Sequence, residues 1–237
     1  MKPIYLITFF SLGILVLQPG CKMERKPVEK PNILFIMTDD HAFQTLSAYD
    51  NTFIHTPNLD RIADEGVLFQ NSFVGNSICA PSRATLLTGK HTHKNGQMTN
   101  SDSFDGAQIT FPKLLQKAGY ETALVGKWHL RSDPTGFDYW NILPGQGQYY
   151  NMNFIEVGER KQYEGYCTTL LTDFALDWLE NRQSKEKPFC LLLHHKAPHR
   201  TWQPDTLHLD EFKDEIYPVP DNFFDDYEGR KAAAEQR

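Results

Sequence analysis

Cysteine is scarce in this chain, and the few cysteines present do not form a cluster. Only 4 of the 237 residues are cysteine, and no C-x-x-C pair occurs among them. This pattern excludes a disulfide-rich scaffold and a zinc site built from thiolates. Cys190 lies in an apolar run and is expected in the core, while a disulfide between Cys167 and Cys190 is left open.

An excess of positive charge is also absent. The formal net charge is −6, which argues against a general nucleic-acid-binding protein, so no nucleic-acid partner is expected. With 40% hydrophobic and 23% charged residues, the composition is that of a globular protein. The length suffices for one sizeable core, or for one domain and part of another.

The one extended apolar run lies at the N-terminus, over residues 4–17, and it is short for a membrane-spanning helix. Lys2 precedes it, and Gly20-Cys21 resembles the end of a bacterial lipoprotein signal. We predict a signal peptide over residues 1–21 and a linker over 22–30. Lipidation of Cys21, with membrane attachment, and simple cleavage are the two alternatives. Either outcome predicts an exported protein, in the periplasm or on the outer membrane or cell surface.

Short apolar runs and amphipathic segments alternate along the remaining chain. The runs predict strands over 33–38, 121–125 and 188–193, the first of them buried on both faces as in a parallel sheet. A further strand is predicted over 67–73. Capped helices are predicted over 56–66, 110–120 and 168–182. The fold class expected is α/β, with a mixed, mostly parallel sheet sandwiched between helices.

Two adjacent carboxylates, Asp39 and Asp40, follow the first strand. Sites in open α/β sheets form at the carboxyl ends of strands, and paired carboxylates repel each other unless a cation lies between them. Their oxygens suit calcium or magnesium. The alternative is a polar turn that caps a helix.

Residues 79–83, Cys-Ala-Pro-Ser-Arg, precede an apolar helical stretch. Proline is favoured in the first turn of a helix, so Cys79 is expected at a helix N-terminus, where free N–H groups favour an anion. Arg83 follows one turn later on the same face and adds a positive charge. The alternative is a structural cysteine beside a helix cap.

Two further strand ends carry basic side chains. Lys127 and His129 follow the strand at 121–125, and two-residue spacing in an extended chain places them on one face. His199 ends a Pro-His pair after the strand at 188–193. A lysine can stabilise an oxyanion, and a histidine can exchange a proton with a reacting oxygen. Taken singly, each could be an ordinary surface or core residue.

Together, the paired aspartates, the Cys-x-Pro-Ser-Arg stretch, Gly-Lys-Trp-His and Pro-His resemble, in this order, the signatures of the type I sulfatases. These are formylglycine-dependent members of the alkaline-phosphatase-like superfamily. The resemblance implies that residues 31–237 form the N-terminal portion of a sulfatase catalytic domain. It also implies that a sulfatase-maturating enzyme oxidises Cys79 to formylglycine.

The resemblance assigns roles residue by residue. Asp39, Asp40 and the converted Cys79 are the expected metal ligands, for calcium or, alternatively, magnesium. The residues expected to act on the sulfate ester are Cys79, Arg83, Lys127, His129 and His199. The expected substrate is a sulfated carbohydrate or another sulfate ester.

One element of the family pattern is missing. Type I sulfatases are longer and carry a second metal half-site, Asp-Asn-Gly or Asp-His-Gly, and neither tripeptide occurs here. We therefore expect an incomplete fold. Two alternatives to a sulfatase stay open, a phosphonate or phosphodiester hydrolase of the same superfamily and a catalytically inactive glycan-binding remnant.

Overall fold

The computed structural model describes residues 29–235. They form a six-stranded sheet with the order β1-β6-β2-β3-β4-β5. The strands are β1 (Ile33–Asp39), β2 (Glu121–Lys127), β3 (Tyr139–Leu143), β4 (Asn153–Glu156), β5 (Glu159–Gln162) and β6 (Phe189–Pro198). The first four strands in this order are parallel, and β4 and β5 form an antiparallel hairpin at one edge.

Six α-helices accompany the sheet within the described residues. They are α1 (Pro57–Glu65), α2 (Cys79–Thr88), α3 (Thr92–Asn95), α4 (Phe111–Lys117), α5 (Cys167–Asn181) and α6 (Lys231–Glu235). Among them, α2, α4 and α5 pack on the faces of the sheet. One apolar core joins α2 and α4 to Leu124 and Leu192, and a second joins α5 to Val125 and Leu191. Neighbouring residues of a strand point to opposite faces, so these are the two layers of a sandwich. The predicted mixed, mostly parallel α/β fold is confirmed.

The prediction that β1 is buried on both faces is wrong. Leu34 is 51% exposed and Ile36 is 44% exposed, whereas Ile33, Phe35 and Met37, which alternate with them, are partly buried. Among the described residues β1 pairs with β6 alone, so it is an edge strand of this sheet. Ile33 and Phe35 pack against the core that contains α2 and α4, whereas within residues 29–235 Leu34 and Ile36 belong to neither core.

The strand predicted over 67–73 does not form. Val67, Phe69 and Phe73 are between 67% and 95% exposed, and within residues 29–235 no strand pairs with this stretch. Alternating apolar residues produce a strand only where a neighbouring strand accepts their backbone hydrogen bonds. The helices predicted over 56–66 and 110–120 are present, but neither the Thr56 nor the Thr110 side chain accepts a capping hydrogen bond from its helix.

The two late cysteines are separate and reduced. Cys167 lies in α5 and Cys190 in β6, and both are buried free thiols, so no disulfide joins them. The signal peptide at 1–21 and most of the linker at 22–30 lie outside the described residues. None of the helices described is long and apolar enough to cross a membrane.

Candidate active site

Three parallel strands deliver their ends to one edge of the sheet. β1 ends at Asp39, β2 ends at Lys127, and β6 runs between them and leads into His199. Met37 of β1 and Gly126 of β2 both pair with His194 of β6, so Asp39 and Lys127 follow one or two residues beyond the same level of the sheet. The expectation that these motifs meet at strand ends is confirmed by this register.

The glycine of the Gly-Lys-Trp-His motif has a steric role. Gly126 has a φ of +113°, and a Cβ built on it would lie 1.9 Å from the carbonyl oxygen of His194. Only glycine allows β2 and β6 to approach so closely at this point. The close approach sets the position of Lys127, the next residue.

Cys79 is the first residue of α2, as predicted, and it is half-buried. Its Sγ lies 3.7 Å from Asp39 Oδ1 and 3.9 Å from Lys127 Nζ. The free N–H groups expected at this helix end are partly occupied. Pro81 has none, and the N–H of Ala80 donates to Asn100 Oδ1 at 3.0 Å.

Asp39 is the centre of the charge network. It is buried, its Oδ2 accepts from Lys127 Nζ, and Arg83 Nη2 lies 3.6 Å from the same oxygen. Arg83 Nη1 also donates to the Lys127 carbonyl at 2.7 Å. Because both Cys79 and Arg83 contact Asp39, they lie on one face of α2, as their spacing predicts.

His199 is held by the backbone that follows it. Its Nδ1 lies 2.7 Å from the Arg200 carbonyl, and a carbonyl can only accept, so Nδ1 carries a proton. The other nitrogen, Nε2, therefore faces the site, 3.5 Å from Asp40 Oδ2. The Tyr149 hydroxyl donates to the His199 carbonyl and fixes this turn.

Three of these side chains are arranged as metal ligands. Asp39, Cys79 and His199 each offer one ligand atom, and these three atoms lie within 4.8 Å of one another. Asp40 is next to this group, because it contacts His199. Carboxylate oxygens suit hard cations, whereas a thiol does not. The donor set therefore fits calcium or magnesium only if residue 79 offers oxygen in place of sulfur, and then as part of a shell.

Burial raises the pKa of the Cys79 thiol, and the nearby carboxylates add to this, although Lys127 and Arg83 oppose them. A thiol with a raised pKa is protonated at neutral pH and is a weak nucleophile. The site is therefore poorly suited to cysteine catalysis by the unmodified residue.

His129 follows β2 in a left-handed conformation, with φ of +58°. Burial, with help from the charges of Lys127 and Arg83, lowers its pKa to about 4. Its Nδ1 is buried without a hydrogen-bond partner among the described residues. The imidazole is thus neutral at neutral pH and can accept a proton.

Sequence reasoning missed three residues that the fold brings to this site. The Gln146 side-chain oxygen accepts from Lys127 Nζ at 2.5 Å, and His194 Nδ1 lies 3.2 Å from Arg83 Nη1. Lys196 is 4% exposed beside His199. No local motif marks Gln146, which reaches the site from a loop. His194 and Lys196 do carry a signal, because polar residues inside an apolar strand need partners.

Comparison with known proteins agrees with this geometry. The model of the family described as Sulfatase matches residues 31–235. An N-acetylglucosamine-6-O-sulfatase of Bacteroides thetaiotaomicron is 52% identical over 229 residues, which are 95% of this chain and 41% of that protein. The N-acetylgalactosamine-6-sulfatase of Homo sapiens is 33% identical, over 69% of this chain and 38% of that protein.

Solved structures give the same result. A protein in complex with its substrate D-glucosamine-2-N,6-O-disulfate superposes with a TM-score of 0.85 at 54% identity, covering 87% of this chain and 42% of the other. A protein in complex with k-i-k-neocarrahexaose superposes with a TM-score of 0.75 at 26% identity, covering 80% and 50%. The chain spans about two fifths of the length of the curated relatives it matches. This chain belongs to the sulfatase family.

Proposed function

We propose that this chain carries the N-terminal part of the active site of a sulfatase that hydrolyses sulfate esters of carbohydrates. The observation that supports it is the convergence of Asp39, Cys79, Lys127 and His199 at one sheet edge, with their polar atoms within about 4 Å of a neighbour. A relative at 52% identity is named an N-acetylglucosamine-6-O-sulfatase. Sulfated glucosamine within a glycan is therefore the proposed substrate class.

The proposed nucleophile is Cys79 after its oxidation to formylglycine by a maturating enzyme. A half-buried, protonated thiol is unsuited to attack on sulfur, while an oxygen at the same position would be close to Lys127 and Asp39. Neutral His129 is available to accept a proton from a hydroxyl on residue 79.

The proposed cation is calcium, with magnesium as the alternative. Asp39 and Asp40 would hold it together with the oxygen of converted residue 79. When bound, the cation would act as a Lewis acid on a sulfuryl oxygen and lower the pKa of the attacking hydroxyl.

Hydrolysis of a sulfate ester requires the site to stabilise negative charge on the sulfuryl oxygens. Arg83 and Lys127 place two buried positive charges beside residue 79, where low solvent exposure strengthens their effect. His199 directs Nε2 at the same space. These three side chains would stabilise the negative charge that grows on the sulfuryl oxygens.

The conversion of Cys79 is tested by mass spectrometry of protein made with and without a sulfatase-maturating enzyme. We expect the peptide that contains residue 79 to change in mass to that of an aldehyde only in the presence of the enzyme. A Cys79→Ala variant should show no change, whereas Cys190→Ala, which removes a core thiol, should still be converted at residue 79. An unchanged residue 79 under all conditions would contradict the proposal.

The substrate class is tested with two compounds, a sulfated glucosamine and a matched phosphate diester. Calorimetry measures the binding of each compound, and a turnover assay measures its hydrolysis. We expect the sulfate ester to be preferred, and Cys79→Ala to abolish any turnover. Preference for the phosphate diester would point to the other hydrolases of the superfamily. Binding without conversion of Cys79 would point to a glycan-binding protein.

We also propose export of the protein, with Cys21 as a lipidated residue. The charged start, the apolar run and Gly20-Cys21 support this. Labelling cells with a fatty-acid precursor should mark the protein, and Cys21→Ala should remove the mark. Unlabelled protein that begins after residue 21 would instead show simple cleavage.

A further inference from the structure

The buried charges of this chain do not balance. Among the residues described, the buried cations are Arg83, Lys127 and Lys196, exposed by 3%, 0% and 4%, while Asp39 is the single buried carboxylate. Arg83 and Lys127 share Asp39 between them. Lys196 has no carboxylate within 4.0 Å in this part of the chain. A buried charge without a counter-charge is costly, so a missing anion is expected here.

The ammonium of Lys196 is only partly satisfied by the protein. It donates to the Arg200 carbonyl at 3.2 Å and lies 4.9 Å from the centre of the Tyr149 ring. An ammonium has three donors, and within residues 29–235 this is its only hydrogen bond to an oxygen. Two donors are left for a ligand.

The space beside Lys196 is open to a ligand. A cleft of about 790 Å³ has Lys196, His199, Gln146, Tyr150 and Arg200 among its lining residues. Gln146, which lines this cleft, also accepts from Lys127 Nζ, and His199 lines the cleft and lies near Asp40, so the cleft borders the site around Cys79. Its lining is basic and amide-rich, although the chain as a whole is acidic.

We propose that Lys196 binds an oxyanion of the substrate in this cleft, and that the ligand provides a counter-charge that residues 29–235 do not place within 4.0 Å of the ammonium. This inference rests on the proposed function. The oxyanion is either the sulfate ester that is hydrolysed or a second acidic group of the same glycan, and the experiment separates these two sources.

The test is isothermal titration calorimetry on the full chain, with inorganic sulfate, glucosamine 6-O-sulfate and glucosamine 2-N,6-O-disulfate as probes. We expect Lys196→Met to weaken binding about tenfold or more, the effect of losing one charge-assisted hydrogen bond. Lys196→Arg should keep most of the affinity. Lys90→Met, which removes an exposed lysine, is the matched control and should bind like the unaltered chain.

The pattern of loss identifies the oxyanion. Weaker binding of all three probes assigns Lys196 to the hydrolysed sulfate, and weaker binding of the disulfate alone assigns it to a second acidic group. Unchanged affinity for all probes would overturn the proposal. If Lys127→Met still weakened binding in that case, the proposed function would stand without the role of Lys196. If the unaltered chain bound no probe, both the proposed function and the role of Lys196 would be wrong.

Folding of the variants is followed by their melting temperatures without ligand. Because Lys196→Met removes an uncompensated buried charge, its melting temperature should equal or exceed that of the unaltered chain. Should methionine at this position prevent folding, Lys196→Gln gives the same comparison, since it keeps a donor for the Arg200 carbonyl and loses the charge.

Discussion

Asp39 and Asp40 are neighbours in the chain with opposite surroundings. The Asp39 side chain is 7% exposed and contacts Lys127 and Arg83, whereas that of Asp40 is 60% exposed and contacts His199. The sequence motif predicts the same role, that of a metal ligand, for both carboxylates. The fold instead gives Asp39 a structural role in addition to any role toward a cation.

This difference predicts unequal costs of substitution. Asp39→Asn leaves two buried cations without a carboxylate, so the free energy of unfolding should fall by about 3–5 kcal/mol. Asp40→Asn breaks one exposed contact and should cost less than about 1 kcal/mol. Urea denaturation of both variants, with no divalent cation present, measures the two values. Equal losses would contradict the network described for Asp39.

At the scale of elements, the site depends on the contact between β2 and β6. Gly126 lies where the two backbones meet, and the position of Lys127 follows from it. β6 also pairs with β1, so one strand aligns both motif-bearing neighbours.

We therefore expect Gly126→Ala to disrupt the sheet. The added Cβ would meet a carbonyl oxygen at 1.9 Å, and the φ of +113° is strained for alanine, so the loss of stability should exceed about 3 kcal/mol. Gly158→Ala is the matched control, because its φ is +91° but nothing lies within 4 Å of its Cβ position. It should cost about 1 kcal/mol. Thermal unfolding compares the variants, and similar melting temperatures would refute the steric argument.

The elements that sequence patterns predicted are those with strong local signals. β2, β6 and α5 have continuous apolar runs or a helical apolar stripe, and all three appear within a few residues of the predicted bounds. The stretch at 67–73 has a strand-like pattern but no partner strand. The β4–β5 hairpin was not predicted, because β5 is exposed throughout and lacks an apolar face.

The site was predictable where a motif is local and contiguous. Cys79, Arg83 and Lys127 each belong to such a motif, and their contacts follow from strand ends that meet. Gln146 was missed because it reaches Lys127 from a loop, 19 residues further along the chain, without a motif of its own. Lys196 was missed although a lysine at the end of an apolar strand is itself a signal. The burial of β1 was wrongly predicted, because an apolar run does not reveal whether another element packs on the outer face of its strand.

At the scale of the whole molecule, the edge strand β1 bears on whether the protein self-associates in solution. Its outward residues Leu34 and Ile36 are about half-exposed, and in the described part of the chain its free edge has no partner strand. Unpaired, apolar edge strands promote pairing between molecules.

We expect the purified chain to self-associate as its concentration rises, as measured by sedimentation velocity. Ile36→Lys places a charge on the exposed face of β1 and should shift the protein toward monomer. Leu176→Lys, at a similarly exposed apolar residue on α5, is the control and should leave the association unchanged. A chain that stays monomeric at all concentrations would contradict this prediction.

The central place of β6 has a consequence for the newly made chain. Residues 33–39 and 121–127 do not pair with each other, and the strand that joins them is synthesised last. Until the ribosome has released the residues up to 198, the pocket around Cys79 has no wall on that side. Its sulfur is then less enclosed than in the folded protein, and docking of β6 between β1 and β2 completes that side of the pocket.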